Sequence, residues 1–250
     1  MTTYANTCVF CQRNDSPPSS EHILATWITK AFPEVQEFLI TDNLAGRRFG
    51  AKKQLGMISN RVCLRCNTIW MRKLEDKAKP ILLPMIKGES VSLNKLSQFT
   101  ICLWFLKTAM MLERRGKGPY FFTDEDRKKF AETFHISPRL SLLMFLGRYI
   151  SDNCVTARDG IVPLHIFPNS PRAIPINGYT ATLTIKQLAI QFIIGRFPLH
   201  APMGVTTRIP KVVETIQIWP ITEDRTWPPS ESFGDEVLND FIERLNKAEE

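Results

Sequence analysis

Apolar positions along the chain switch between helical and strand-like spacing, and those switches define the elements. Residues 19–24 form a short apolar strand candidate after the turn at Pro17-Pro18. Trp27, Ile28, Ala31 and Phe32 then recur at helical spacing until Pro33 ends or kinks the element. Residues 42–56, with Arg47, Arg48, Lys52 and Lys53, predict a basic hairpin or loop. Ile69, Trp70, Leu74 and Ala78 share one stripe, so a second helix is expected from near Cys66 to just before Pro80. The stretch 92–150 reads as strongly helical. Leu96, Phe99, Ile101, Cys102, Phe105, Ala109 and Leu112 cover a broad face that ends at Gly116 and Gly118. Thr123 caps a following helix, with Asp124, Glu125 and Asp126 in its first turn. Beyond that, 161–167, 179–185 and 212–219 are β-branched or aromatic runs separated by turns and predict strands. Val237, Leu238, Phe241, Ile242 and Leu245 close the chain as an amphipathic helix. No internal repeat is present. The expected class is α+β: a small metal-bearing module over 1–90, then an α+β region over 91–250 with a helical middle and a β-containing tail.

Composition narrows this picture by exclusion. With 44% apolar and 23% charged residues the chain carries enough material for a folded core, which rules out disorder. Six cysteines in 250 residues are too few for a disulfide-stapled mini-domain. The first residues have neither a basic nor an apolar signal region, and the apolar stretch 96–112 is interrupted by Ser97, Gln98, Thr100, Lys107 and Thr108. A buried helix and a cytoplasmic protein are therefore expected. The net charge of +7 is unevenly placed. Residues 1–120 carry 18 Lys/Arg against 9 Asp/Glu, whereas 121–250 carry 14 against 16. The basic half is the one that would attract a polyanion.

That half also holds the chemistry. Cys8-Val9-Phe10-Cys11 and Cys63-Leu64-Arg65-Cys66 are two C-x-x-C pairs, the natural ligand set of a structural Zn²⁺ in a reducing compartment. Fifty-one residues separate them, so the metal would clamp two distant segments together. Cys102 and Cys154 are read as small buried hydrophobes. Glu21-His22 follows the first pair and Asn67 directly follows the second. Drawn together by zinc, they would offer a carboxylate, an imidazole and an amide oxygen at one point. Oxygen ligands suit Mg²⁺ or Mn²⁺, and an imidazole suits proton abstraction from water near neutral pH. Asn67 is equally a favoured helix cap, and the two roles are compatible. Arg61, Arg65, Arg72 and Lys73 surround the expected helix start and, with Arg47, Arg48, Lys52 and Lys53, are candidates for phosphate contacts. Trp27 and Trp70 read as core anchors, His135, His165 and His200 as structural or surface residues, and Asp124, Glu125 and Asp126 as a helix start.

The paired knuckles, the Glu21-His22-Ile23 strand and Cys63-x-x-Cys66-Asn67, followed by Trp70-Met71 and Leu74-Glu75, resemble the HNH endonucleases, a family of ββα-metal nucleases. The likeness covers residues 8–90. It departs in two places: Ile58 stands where the family's middle Asn is expected, with Asn60 the nearest, and Ala25 stands where a Pro often follows. The resemblance implies a DNA-cleaving phosphodiesterase. In it His22 is the general base, Glu21 and Asn67 hold one catalytic Mg²⁺ or Mn²⁺, and Cys8, Cys11, Cys63 and Cys66 hold structural zinc. The competing expectation is a zinc-stabilised nucleic-acid-binding or protein-assembly module without catalysis.

Overall fold

The computed structural model describes residues 7–34, 37–42, 48–51, 58–115, 118–137, 139–150, 154–166, 174–197 and 212–243. Helices and strands are mixed, as an α+β chain requires. The first strand, β1 (Pro18–His22), leads into the short helix α1 (Thr26–Ala31), where Ile28 supplies the buried contact. Next come β2 (Glu37–Asp42), β3 (Arg48–Ala51) and β4 (Ile58–Cys63). β1 and β4 pair antiparallel, Ser19 opposite Val62 and His22 opposite Ile58. A register shift between Ser19 and Glu21 inserts one extra residue on the β4 side.

From β4 the chain turns directly into helix. α2 (Leu64–Cys66) runs through a π-helical turn at Asn67–Met71 into α3 (Arg72–Ile86). The helix passes the expected stop at Pro80 and a second proline, Pro84. Pro80 lacks an N–H for the Asp76 carbonyl, but both residues are exposed, and a carbonyl on the solvent face costs little to leave without a protein donor. The opposite stripe of Leu74, Ala78, Leu82, Met85 and Ile86 is buried, and burial keeps the helix going.

A short strand, β5 (Val91–Leu93), precedes the central helix α4 (Lys95–Glu113). The Asn94 side chain caps α4 by accepting from the Ser97 N–H at 2.9 Å. α4 is buried on nearly every side because it lies between α3 and the large sheet, so its apolar residues need no single stripe. No described helix is long and apolar enough to cross a membrane. α5 (Asp124–Thr133) begins with the expected Thr123 cap, made reciprocal by Asp126.

The large sheet is built from β6 (Leu140–Tyr149), β7 (Cys154–Ile166), β8 (Ile174–Ile185), β9 (Leu188–Arg196) and β10 (Ile216–Trp219), with β2 and β3. Its order is β10-β6-β9-β8-β7-β2-β3. β11 (Arg225–Trp227) pairs with β5, and β12 (Ser232–Phe233) lies parallel to β6. α6 (Asp235–Glu243) packs through Phe241 onto Phe233. One sheet face meets α4, where Phe105 and Phe192 form an edge-on ring pair with centroids 5.4 Å apart. The strongly helical expectation for 92–150 fails at its end, since 140–149 is β6. Its run Leu-Ser-Leu-Leu-Met-Phe-Leu fits a buried helix or a buried strand equally, and the β9 ladder decides the matter from Leu140 opposite Arg196 to Arg148 opposite Leu188. β9 itself, another continuous apolar run, lay outside the expected strands. The basic 42–56 segment does contribute a hairpin, but its first strand starts at Glu37 and adds parallel to β7. Residues on both sides of position 90 share one hydrophobic core, from Phe10 and Leu74 to Phe105 and Leu183.

Candidate metal centre and the Glu21–His22 strand

The first cysteine pair sits in a tight turn whose backbone is fixed from three sides. The Cys8 N–H donates to the Arg13 carbonyl at 2.9 Å and the Gln12 N–H to the Cys8 carbonyl at 3.0 Å. Gln12 adopts φ 57°, the left-handed conformation that closes such turns. The Val9 N–H reaches the Arg61 carbonyl at 2.9 Å, and the Leu64 N–H reaches the Pro17 carbonyl at 2.7 Å. These bonds dock the turn onto the end of β4, where the second pair spans the strand-to-helix junction.

All four sulfurs therefore converge. Cys8 Sγ lies 3.8 Å from Cys66 Sγ and Cys11 Sγ lies 3.7 Å from Cys63 Sγ. All four fall within 4.8 Å of one another. Tetrahedral Zn²⁺ with bonds of about 2.3 Å sets its sulfurs about 3.8 Å apart, so the cluster has the dimensions of a zinc site. The Cys63 N–H points at Cys8 Sγ at 3.4 Å, the backbone-to-sulfur contact that stabilises a thiolate. Without a cation the thiols ionise unequally. The Cys66 thiol beside it holds Cys8 down to about 4, and burial pushes Cys11 up to about 11. Cys66 is pushed well up by the neighbouring Cys8 thiolate and by burial. A divalent cation favours the ionised form of all four. The four cysteines are able to hold a metal ion such as zinc.

The same docking brings Asn67 against the strand that carries Glu21 and His22. Its Nδ2 donates to Ser19 Oγ at 3.2 Å, and Ser19 Oγ donates to the Val62 carbonyl at 3.0 Å. Side chains alternate along a strand, so Ser19 and Glu21 share one face of β1 and His22 takes the other. Both Glu21 and His22 are half-buried. Glu21 turns toward α4, where the Lys107 Nζ lies 4.0 Å from its Oε1. Lys107 is fully buried and makes its close bond, 2.7 Å, to Glu75 Oε1. The second Glu75 oxygen accepts from the Trp27 indole at 2.8 Å. Burial raises the Glu21 carboxyl above its ordinary range, partly opposed by Lys107 and reinforced by Glu75.

Other expected residues fall into place unevenly. Arg61, Arg65, Arg72 and Lys73 are all exposed around the start of the helix, and Arg65 also lies 3.9 Å from Asp15. Leu64 and Ile69 stand exposed among them, 46% and 51% accessible, which is unusual for large aliphatics on a basic helix face. Arg48 belongs to β3, while Arg47, Lys52 and Lys53 lie outside the described residues. Trp70 anchors the core through edge-on contacts with Phe10, Phe130 and Phe134. Cys102 is buried beside the Ile218 carbonyl, and His135 is exposed. The side chains of Cys154 and His165 and all of His200 lie outside the described residues. Asp124 and Asp126 do more than start a helix, pairing with Arg114 and Arg196 at 2.6 Å each. What escaped sequence reasoning is the pairing of Lys107 with Glu75 beside Glu21. A solitary lysine inside the apolar run 96–112 was the one available signal. No family model, curated protein or solved structure matches the chain.

Proposed function

We propose that the chain is a metal-dependent endonuclease of the HNH type, a ββα-metal hydrolase of phosphodiester bonds in DNA. The observation that carries this reading is the convergence of the four sulfurs, with Asn67, on the helical turn after Cys66, donating to Ser19 of the strand that bears Glu21 and His22. Strand β1, strand β4 and the helix from Leu64 follow the strand-strand-helix order that such a site requires. In this reading Cys8, Cys11, Cys63 and Cys66 hold structural zinc. Glu21 and Asn67 suit a hard cation: the Glu21 carboxylate is beyond hydrogen-bonding reach of Lys107, and Asn67 commits its amide nitrogen to Ser19 while its oxygen can still accept. When bound, Mg²⁺ or Mn²⁺ would supply Lewis-acid stabilisation of charge developing on the phosphate and the departing oxygen. His22 takes the proton of the attacking water. Arg61, Arg65, Arg72 and Lys73, with Arg47, Arg48, Lys52 and Lys53, hold the phosphate backbone, so affinity should fall steeply with salt. A reducing, cytoplasmic setting suits the thiolate cluster.

The test is nicking of supercoiled plasmid with Mg²⁺ or Mn²⁺. His22→Ala is expected to abolish nicking while zinc content and the unfolding midpoint stay unchanged, and equal cleavage by the variant would sink the mechanism. A second reading is favoured by the β1–β4 register, in which Ile58 faces His22 and His22 alternates away from Glu21. It is a zinc-stabilised nucleic-acid-binding or protein-assembly module without catalysis. Salt-sensitive DNA binding with no cleavage under any divalent metal would establish it over the first.

A further inference from the structure

The ammonium of Lys107 stands where four elements meet. It is contributed by the centre of α4, is 0% exposed, and lies 2.7 Å from Glu75 Oε1 on α3 and 4.0 Å from Glu21 Oε1 on β1. Trp27 on α1 fixes the far oxygen of Glu75. A fully buried ammonium beside two half-buried carboxylates is costly, and apolar residues of the same volume often serve a fold as well or better. Among the described residues one ammonium faces two carboxylates and does not neutralise both. Glu75 takes the short, hydrogen-bonded position, with both oxygens engaged. Glu21 takes the longer one, attracted to Lys107 yet outside hydrogen-bond range, so its orientation is constrained while its acceptor sites stay available.

We propose that Lys107 is a positioning residue for Glu21: the buried Lys107–Glu75–Trp27 chain aims the Glu21 carboxylate at the face of β1 shared with Ser19 and Asn67. The proposal rests on the nuclease reading of that face. It gives residues beyond 90 a part in the site, because α4 supplies the group against which the β1 carboxylate is set. Partners that orient a metal-binding carboxylate typically change metal affinity about 10- to 100-fold when removed.

The experiment is a Mn²⁺ titration of the zinc-loaded full chain, followed by electron paramagnetic resonance, with zinc content and thermal unfolding measured on the same samples. Lys107→Met alone strands two carboxylates and is expected to lower the unfolding midpoint. The informative variant is Lys107→Met/Glu75→Gln, which removes one positive and one negative charge together and keeps an acceptor for Trp27. It is expected to retain zinc and the wild-type midpoint while the Mn²⁺ dissociation constant rises about tenfold. Single-turnover nicking should fall by at least that factor. Wild-type Mn²⁺ affinity in the double variant would overturn the proposal, since Lys107 would then only neutralise Glu75. Loss of zinc or of the fold in the double variant would likewise overturn it by assigning the chain of contacts to structure. A wild-type protein that binds no Mn²⁺ beyond its zinc would overturn the nuclease reading and the positioning role together, a result distinct from equal binding by the two proteins.

Discussion

Two charge clusters flank α4, each around a buried cation, and they are built on opposite principles. At its C-terminal end four carboxylates, Glu113, Asp124, Asp126 and Asp159, meet four guanidiniums, Arg127, Arg114, Arg196 and Arg115, with Arg127 also 3.7 Å from Asp124. The carboxylates there are further engaged: Glu113 accepts from the Phe121 and Phe122 N–H groups, Asp126 from the Thr123 N–H at 2.9 Å, and Asp159 from the Tyr179 hydroxyl at 2.8 Å. At the middle of α4 a single ammonium among the described residues serves both Glu21 and Glu75, and the outer pair is stretched to 4.0 Å. A cluster in which each carboxylate has a guanidinium beside it holds the fold together, even with the Nε atoms of Arg114 and Arg127 left without an acceptor. One that leaves a carboxylate in excess among the described residues, on a strand tied to a four-cysteine cluster, is where the proposed cation would bind. Balance distinguishes a structural network from a candidate site better than burial does, since each cluster has a fully buried cation, Arg127 or Lys107, at its centre.

The largest effect is expected where the balanced cluster is broken. Arg127→Met leaves Glu113 buried without its guanidinium and should cost about 3–5 kcal/mol in urea unfolding. A cost below about 1 kcal/mol would remove the distinction between the clusters. Next is a pH dependence. Burial pushes the Glu113 carboxyl up to about 7, above its ordinary value. For an acid raised in this way the stabilising contribution is full below the unfolded-state pKa and is lost as pH rises through the folded value. Wild-type unfolding free energy should therefore decline between about pH 4.5 and just above 7, by up to about 3 kcal/mol from this group. Glu113→Gln should flatten that slope when unfolding is followed across the same range. Thr123→Ala, which removes the reciprocal cap with Asp126, should cost about 1 kcal/mol and leave divalent binding unchanged. The smallest stability change belongs to the unbalanced cluster. Glu21→Gln removes a carboxylate that Lys107 does not hydrogen-bond, so unfolding should shift by no more than about 0.5 kcal/mol while Mn²⁺ binding is lost. A large destabilisation would show that Glu21 belongs to the fold in the way Glu113 does.

Much of the local structure was legible because its causes are local. Thr123 and Asp126 cap α5 through groups three residues apart, and the 96–112 apolar run is the helix it resembled. The two C-x-x-C pairs were also legible, since their chemistry is carried by spacing and side-chain type. The continuous apolar runs at 140–149 and 188–196 were not, because residues buried on all sides lose the periodicity that separates strand from helix. Pro80 misled for the opposite reason. A local rule against proline in helices yields when the missing hydrogen bond falls on the solvent face and the other face is buried.

By itself the sequence determined the ligand types, the Glu21-His22 and Cys66-Asn67 adjacencies, and the helices whose caps and stripes lie within a few residues. Only the tertiary structure decided that β2 and β3 join the large sheet and that β6 and β9 are strands. It alone decided that Lys107, 86 positions from Glu21, stands beside that carboxylate. Caps and knuckles act over one turn of chain. Strand pairing and buried ion pairs depend on which distant surfaces meet, and composition and periodicity do not carry that information.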